Sequence, residues 1–540
     1  MRSGITRTPA CPRPPMIDLQ SNLRMKEFLG TPGRFPIGVE LVSTRGTMTQ
    51  KQTLKTRGFS ADLTHSPRVD WVSITDNAGG NPQLSPIALG TPILFAGKEV
   101  VIHLTCKDFN RYGLESQLWL LASQGFHNIL ALTGDYPIES FAGRAKPVFD
   151  LDSVSLLAMI EQMNQGLEIA LPGGKGTTKL DPTHFFAGAV ASNFKFHENT
   201  LLPQYYKMEK KISCGAKYII NQIGFDSRKA HELMEYLRLR GLDQTPVIGN
   251  VYVLGGTVAN LFHGMRIPGV ILTDPLNALC QKHAKSPDKG KLFFQEFAAK
   301  QLAIYRGLGY RAGYLGGVHR YADIEAILDM ERSFAPDDWK QFAREIRFSR
   351  PGEFFLFEED EESGLCRPGH LNQQWQASLK AREPNHNVTA GYRLSKHFHS
   401  LMFERGKGLA PLGGKICNKA TDPSQGPPWL RSIEHLSKSV MFSCHDCGDC
   451  SLGETTFLCP ESQCAKNQRN GPCGGTRDGK CEVFDYECIW ARAYDRMKYE
   501  GLSEHLLDHA PVIQNQGLRG TSSWANFWLG KDHTAKPPPP

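Results

Sequence analysis

Cysteine is the residue type whose spacing most directly suggests chemistry in this chain. Eight of the 14 cysteines lie between residues 444 and 488. Thiolates two residues apart can bind one metal ion, and four complete a tetrahedral zinc site. A Cys-x2-Cys-x2-Cys run with a remote fourth cysteine is also typical of a [4Fe–4S] cluster, and Pro460 directly after Cys459 fits that pattern. The sequence predicts a metal centre and leaves zinc and iron–sulfur open. The candidate ligands are Cys444, Cys447, Cys450, Cys459, Cys464 and Cys473.

A second set of polar and titratable residues lies nearer the N-terminus, each near the end of a short apolar run. In a parallel β/α barrel the carboxyl ends of the strands meet at one mouth, where the chemistry takes place. These residues therefore predict an active site, although each alone has an ordinary structural explanation. The set comprises Glu40, residues 75–77, 103–106 and 133–135, Asn193, Gln222 and His319.

Apolar, β-rich runs alternate with amphipathic stretches between about residues 36 and 320, the pattern of parallel β/α units. Eight such strands with intervening helices match the size of a (β/α)8 TIM-type barrel, and we expect that α/β fold. Residues 267–274 compete for the place of the eighth strand, and a doubly wound sheet is the alternative architecture. The predicted strands are residues 36–42, 71–76, 99–106, 128–135, 185–191, 218–226, 246–253 and 311–318.

The chain divides into five predicted segments. The acidic run at residues 357–364 is expected to be solvated, which places a linker between two folded units. The segments are a disordered N-terminus (1–24), the barrel (25–330), a helical and acidic linker (331–384), a smaller cysteine-rich metal-binding domain (385–530) and a proline-rich tail (531–540).

Composition restricts the functional classes. Apolar residues make up 40% and charged residues 22% of the chain, and no run of 18 apolar residues occurs, which excludes a transmembrane helix. The net charge of +7 is spread along the chain without the basic cluster typical of nucleic-acid binding. Clustered cysteines without an apolar signal segment favour a reducing compartment. We expect a cytoplasmic protein with small-molecule chemistry.

Six short motifs at the predicted strands occur in a recognisable order. They are GVEL (38–41), SITDNAGGN (73–81), HLTCKD (103–108), NILALTGDYP (128–137), KKISCGAKYIINQIGFD (210–226) and GYLGGVHR (313–320). In this order they resemble the methylenetetrahydrofolate reductase family over roughly residues 25–325. The region beyond resembles the cysteine-rich C-terminal domain found with some bacterial members and contains RNGPCGG at 469–475.

The resemblance implies a flavoprotein, usually with FAD and otherwise with FMN. Such enzymes reduce 5,10-methylenetetrahydrofolate to 5-methyltetrahydrofolate with electrons from NADH or NADPH, in one-carbon and methionine metabolism. The resemblance assigns proton donation to Glu40, a place near flavin and pterin to Asp135, and a folate contact to Gln222. A carboxyl group can donate this proton if burial raises its pKa toward neutrality.

Seven positions match flavin contacts of the family. Lys210 and Lys211 suit the cofactor's pyrophosphate, and a solvated helix face is their alternative interpretation. Thr133 stands where the family commonly has Arg, and Lys207 where it usually has Asn. The matching positions are Thr75, His103, Thr133, Gly134, Asp135, Lys210 and Lys211.

A second functional hypothesis is an electron-transfer or assembly component. The cysteine domain would then connect the flavin to a redox partner or to a corrinoid methyl-transfer system. The direction of the reaction also stays open, including oxidation of methyltetrahydrofolate. By analogy with the family we expect a homo-oligomer, without nucleic-acid or membrane partners.

Overall fold

The structure, a computed structural model, describes residues 24–174, 176–264, 269–404, 408–419 and 426–535. The predicted disordered N-terminus (1–24) includes residues 1–23, and the predicted proline-rich tail (531–540) includes residues 536–540. Both stretches lie outside the described residues. Within the described ranges, no helix is both long and apolar enough to cross a membrane.

Eight parallel strands close into a barrel, which confirms the predicted (β/α)8 architecture. Each observed strand lies inside its predicted range. The doubly wound alternative is wrong, because β1 pairs with both β2 and β8 and leaves no open edge. The competing eighth strand at residues 267–274 is wrong as well, because residues 269–273 form no strand. Residues 267 and 268 lie outside the described ranges. The strands are β1 (Ile37–Leu41), β2 (Trp71–Ile74), β3 (Glu99–Thr105), β4 (Asn128–Leu132), β5 (Phe186–Ala191), β6 (Tyr218–Asn221), β7 (Val247–Tyr252) and β8 (Ala312–Gly316).

Helices surround the barrel, and their first residues are fixed by capping side chains where the candidate site needs them. Asp152 caps the helix Ser153–Gln165 by accepting hydrogen bonds from the backbone amides of Val154 and Ser155. The helices that precede β8 are α1 (Arg24–Gly30), α2 (Lys51–His65), α3 (Pro86–Phe95), α4 (Arg111–Ser123), α5 (Ser153–Gln165), α6 (Glu198–Ser213), α7 (Ser227–Leu239), α8 (Gly256–His263), α9 (Asp274–Ala284) and α10 (Lys291–Gly307).

Large aromatic side chains fill the barrel interior. Trp71, Tyr218 and Tyr314 are all buried in one cluster. Glycines opposite them provide the space: a Cβ at Gly38 would lie 2.0 Å from the Trp71 ring, and one at Gly188 would lie 2.2 Å from the Tyr218 ring. Because the interior is packed, binding and chemistry are confined to the mouth at the carboxyl ends of the strands.

The stretch predicted as an acidic linker packs against the barrel instead. Helices α11 (Tyr321–Ser333) and α12 (Asp338–Glu345) follow β8, and Phe357–Glu359 pairs with Cys366–Leu371 in an antiparallel hairpin. Glu359, within the acidic run, accepts a hydrogen bond of 2.7 Å from Arg228 of α7. The acidic run is therefore part of a hairpin tied to the barrel.

The C-terminal region packs along α6 of the barrel. Glu198 at the start of α6 accepts hydrogen bonds from Tyr494 at 2.6 Å and Lys498 at 2.7 Å, both on the helix Ile489–Glu500. These contacts hold the cysteine-rich region against the side of the barrel that carries β4 to β6. Its helices are α13 (Gln373–Ala381), α14 (Ala390–Phe403), α15 (Ala410–Asn418), α16 (Pro428–Phe442), α17 (Pro460–Gln463), α18 (Ile489–Glu500) and α19 (Ser523–Trp528).

Candidate functional site

Glu40 of β1 is a partly buried carboxyl group near the end of its strand. Its Oε1 accepts a hydrogen bond of 3.5 Å from the Tyr314 hydroxyl of β8. The neighbouring glycine provides space, since a Cβ at Gly316 would lie 3.0 Å from Glu40 Oε2. Burial raises the pKa of Glu40 to about 7, and the bond from Tyr314 opposes that rise. Near neutral pH the carboxyl group is therefore present in both protonation states, as a general acid requires.

Ser73 connects Tyr314, the hydrogen-bond partner of Glu40, to His103. Ser73 Oγ lies 2.9 Å from His103 Nε2, and the Ser73 side chain also hydrogen-bonds Tyr314. Burial lowers the pKa of His103 to about 4, so its ring is neutral at physiological pH. A polar line thus runs from Glu40 through Tyr314 and Ser73 to His103. Sequence reasoning missed Tyr314 and Ser73; a polar atom inside an apolar strand is the signal that could have found them.

Asp135 and Thr75 lie on the loops that follow β4 and β2. The Asp135 carboxylate accepts a hydrogen bond of 2.8 Å from the backbone amide of Gly79. Thr75 Oγ1 accepts one of 3.2 Å from the backbone amide of Ser43. These bonds connect the loops after β1, β2 and β4 into one rim. The predicted convergence at the mouth is observed for these strand ends.

Gln222 directly follows β6, where the barrel meets the C-terminal region. Its Oε1 accepts a hydrogen bond of 2.9 Å from the backbone amide of Ile223. A Cβ built at Gly269 would lie 3.1 Å from Gln222 Nε2 and 2.9 Å from the carbonyl oxygen of Gly474. The C-terminal region therefore reaches the mouth beside Gln222.

The end of β4 makes a second contact with the C-terminal region. Thr133 Oγ1 donates a hydrogen bond of 3.3 Å to Gln468 Oε1. Lys466 Nζ donates one of 2.8 Å to the carbonyl oxygen of Gly134. The same ammonium group forms a buried ion pair with Glu482. A cation from the C-terminal region thus stands at this strand end, a feature that sequence reasoning missed.

The eight clustered cysteines separate into two groups of four. Their thiols interact electrostatically within each group. The second group lines one cavity, and it includes Cys481 and Cys488, which were not among the predicted ligands. The first cysteine group is Cys444, Cys447, Cys450 and Cys459, and the second cysteine group is Cys464, Cys473, Cys481 and Cys488.

The spacing of the sulfur atoms bears on the metal. A tetrahedral zinc site with Zn–S bonds of about 2.3 Å brings its sulfurs within about 4 Å of one another. All eight cysteines belong to the described part of the chain, where no three of their sulfurs lie within 4.8 Å of one another. In a [4Fe–4S] cluster each thiolate binds its own iron atom, so the sulfurs stand farther apart. Zinc and a [4Fe–4S] cluster both stay predictions for these thiols.

A buried cation stands beside each cysteine group. Arg469 interacts electrostatically with Cys447 and Cys459 of the first group. Lys466 interacts in the same way with Cys473 of the second group. Such cations stabilise thiolates and the negative charge of a thiolate-bound cluster, so the donor chemistry fits a metal centre in both groups.

Comparison with known families accounts for both parts of the chain. Residues 47–278 match the family Methylenetetrahydrofolate reductase, and residues 429–516 match the family Methylene-tetrahydrofolate reductase C terminal. The two matches together span more than half of the chain. The chain belongs to the methylenetetrahydrofolate reductase family. The predicted fusion of a reductase barrel with the family's C-terminal domain is confirmed, and the barrel is that of a folate-related oxidoreductase family.

Solved structures of similar fold are distant from this reductase-family chain. An uncharacterized protein from Clostridium thermocellum that binds two copies of 5-methyl-5,6,7,8-tetrahydrofolic acid is 14% identical, with a TM-score of 0.41, over 57% of this chain and 97% of that chain. A putative lyase/mutase from Burkholderia cenocepacia J2315 is 15% identical, with a TM-score of 0.33, over 60% of this chain and 93% of that chain. At these values neither likeness identifies a ligand of this chain. No curated protein matches it.

The basic pair assigned to a pyrophosphate is buried among protein contacts in this methylenetetrahydrofolate reductase barrel. Lys211 Nζ donates a hydrogen bond of 2.6 Å to the carbonyl oxygen of Val190. Lys210 Nζ lies 3.0 Å from Nε2 of His509 in the C-terminal domain. Burial lowers the pKa of Lys211 to about 7 and that of Lys210 to about 8. Both amino groups contact protein atoms, and their binding of a pyrophosphate stays a prediction. A helix pattern places a lysine on a helix but does not say where its side chain ends.

Residues 468–476 of the C-terminal domain, which we call the docking loop, fill the groove between α5 and α6. The backbone amide and side-chain amide of Asn470 donate hydrogen bonds of 3.1 and 3.2 Å to the Asp152 carboxylate. Lys207 Nζ lies 3.8 Å from the same carboxylate and donates a hydrogen bond of 2.8 Å to Gln468 Oε1. The family's C-terminal domain is thus bound to the barrel at the site's edge.

Proposed function

We propose that the chain is a flavin-dependent enzyme that reduces 5,10-methylenetetrahydrofolate to 5-methyltetrahydrofolate with electrons from NADH or NADPH. Family membership supports the folate substrate and the oxidoreductase class. The observation that carries the proposal is the carboxyl group of Glu40, whose pKa burial raises to about 7 at the barrel mouth. Such a group can protonate a substrate at neutral pH.

Each residue of the site has a role in this reaction. Opening of the substrate's five-membered ring to an iminium needs a proton on a ring nitrogen, and protonated Glu40 supplies it. Tyr314 positions the carboxyl group through its hydroxyl hydrogen bond. The neutral ring of His103 and the nearby Thr75 and Asp135 provide polar contacts suited to an uncharged aromatic ring system. A bound flavin supplies the hydride that converts the methylene carbon to a methyl group.

A Glu40→Gln variant tests the assignment, since the amide keeps the volume and hydrogen bonding but has no proton to give. We expect folate reduction to fall about 100- to 10,000-fold, while NAD(P)H still reduces the bound flavin at the wild-type rate. The matched control is Glu99→Gln. Burial raises the pKa of Glu99 to about 7 as well, but Glu99 begins β3 at the opposite end of the barrel.

The two half-reactions separate the outcomes of this test. If Glu40→Gln kept full folate reduction with flavin bound, Glu40 would not be the proton donor. If Glu99→Gln lost as much activity as Glu40→Gln, the loss would come from disturbed packing and not from proton transfer.

A second candidate function is electron transfer between the C-terminal domain and the barrel. It is favoured by the contacts between the second cysteine group and the mouth: Cys473 Sγ donates a hydrogen bond of 3.6 Å to Glu482, which pairs with Lys466 at Gly134. The electrons would come from a redox protein or a corrinoid methyl-transfer system. Iron and acid-labile sulfide in anaerobically purified protein would support this function. Stoichiometric zinc without iron would exclude it.

A further inference from the structure

Three buried side chains around the groove between α5 and α6 are donors of the kind that bind phosphate. They are Lys195 after β5 and Gln204 and Lys207 on α6, each exposed by 4% or less. In a site for a dinucleotide, buried ammonium and amide groups beside a helix N-terminus would face the pyrophosphate oxygens. What these three donors bind therefore decides whether the groove can accept a pyrophosphate.

All three donors bind carbonyl oxygens of the docking loop. Lys195 Nζ donates hydrogen bonds of 2.6 Å to Gly474 and 2.5 Å to Thr476. Gln204 Nε2 donates one of 2.7 Å to Cys473. Lys207 Nζ donates one of 3.0 Å to Gly471. The loop's carbonyl oxygens stand where phosphate oxygens would be needed.

The backbone of the docking loop lies directly against the barrel. A Cβ at Gly471 would lie 2.9 Å from the Lys207 side chain, and one at Gly474 would lie 2.8 Å from Ser192 Oγ. Gly471 also has a φ of +117°, which a residue with a side chain rarely adopts. Two glycines thus allow an approach so close that no phosphate fits between loop and barrel.

Asp152 adds a buried negative charge to this groove. Asp152 is buried at the groove, and the ammonium group of Lys207 and backbone amides hold its pKa below the ordinary value despite burial. Asp152 is therefore ionised and already neutralises Lys207. A pyrophosphate in this groove would lie next to the buried carboxylate of Asp152, which opposes its binding at that point.

The other side of the mouth remains accessible. Glu40 and Asp135 are partly exposed, and Thr75 and His103 lie at the strands between them. A flavin ring can therefore reach the strand ends that the docking loop does not cover, whereas an adenylate extended toward α6 would meet the loop.

We propose that the docking loop takes the place of the nucleotide half of a dinucleotide flavin, so that this barrel binds FMN and excludes FAD. The inference rests on the proposed flavin-dependent function. It reverses the expectation of FAD that the family resemblance gives, and it assigns to the C-terminal domain a part in cofactor selection.

The test uses the full-length protein and does not depend on activity. Flavin released by denaturation of the anaerobically purified protein is identified by chromatography. The flavin-free protein is then titrated with FMN and with FAD, following flavin fluorescence, and separately with ADP by calorimetry as a probe for the nucleotide half alone. We expect release of FMN, FMN binding at least about tenfold tighter than FAD binding, and no heat of binding with ADP.

Three results would overturn the inference: released FAD, FAD binding as tight as FMN binding, or ADP binding that competes with FAD. FAD uptake with active folate reduction would remove this inference and leave the proposed function intact. Failure to bind either flavin would remove both, since the proposed function needs a flavin at the mouth.

Discussion

The ammonium group of Lys466 lies 2.8 Å from the carbonyl oxygen of Gly134, although the two residues are 332 positions apart in the chain. Through this contact the C-terminal domain supplies a cation to the end of β4, where the family commonly has an arginine and this chain has Thr133. The ion pair of Lys466 with Glu482 and the hydrogen bond from Cys473 to Glu482 extend the contact to the second cysteine group. The barrel mouth and the second cysteine group are therefore adjacent parts of one site.

Lys466→Met removes this cation and leaves Glu482 buried without its partner. Because an uncompensated buried charge is costly, we expect the free energy of unfolding to fall by about 3–5 kcal/mol, measured by urea denaturation at pH 7. The double variant Lys466→Met/Glu482→Gln should recover most of that loss. Lys480→Met is the matched control, since its ion pair with Asp485 is largely exposed, and it should change stability by less than about 1 kcal/mol. Equal effects of the two lysine variants would contradict a buried pair.

The raised pKa of Glu40 predicts a fall in stability with rising pH that the wild type shows and Glu40→Gln lacks. Between its ordinary pKa and the folded value of about 7, the folded chain holds a proton on Glu40 that the unfolded chain has released. The contribution of this group to stability therefore falls as the pH rises through that window. We expect Glu40→Gln to gain stability relative to wild type between pH 5 and pH 8, measured by urea denaturation. A difference that does not change with pH would contradict a raised pKa.

Folate reduction should follow the same titration. Since protonated Glu40 gives the proton, the rate of the folate half-reaction should decrease as the pH rises above about 7. Rapid mixing of prereduced enzyme with methylenetetrahydrofolate between pH 6 and pH 9 measures it. His103 does not contribute to this profile, because burial lowers its pKa to about 4 and its ring stays neutral throughout that range.

Lys207→Met tests how firmly the docking loop is held. The variant removes the hydrogen bonds to Gln468 and Gly471 and leaves Asp152 without its ammonium partner. We expect faster amide hydrogen exchange in residues 468–476, measured by mass spectrometry on the native protein. Lys217→Met, which removes a partly exposed ion pair with Glu161, is the control and should leave that segment unchanged. Unchanged exchange in Lys207→Met would mean that other contacts alone hold the loop.

The sequence predicts the barrel well because buried parallel strands are nearly continuous apolar runs. Every observed strand falls within its predicted range, and Glu40, His103 and Asp135 follow from their places at strand ends. The contact of Tyr314 with Glu40 could not be predicted in this way. It depends on the register that pairs Gly38 with Tyr314 as β1 and β8 close the barrel, which no local pattern specifies.

Contacts between the two domains were beyond sequence reasoning for a related reason. The docking loop appears in the sequence only as RNGPCGG, a glycine-rich segment near cysteines, and nothing in it indicates the groove beside α6. Lys210 and Lys211 likewise appear as a basic pair on a helix, whereas the structure buries both against Val190 and His509. Residues about 300 positions apart give no local signal of their meeting.

Serine substitutions within the two cysteine groups test the separation of the metal centre into two sites. If each group holds its own [4Fe–4S] cluster, Cys473→Ser should lower the iron content of anaerobically purified protein to about half that of wild type. The cluster of the first group should remain, because Cys473 is not one of its ligands. Cys447→Ser should do the same through the other site, and the double variant should contain almost no iron. Cys280→Ser is the control, since Cys280 is buried in α9 and apart from both groups. Loss of all iron in either single variant would show that the eight thiols serve one centre. Wild-type protein that contains zinc and no iron above background would show that neither group holds a cluster.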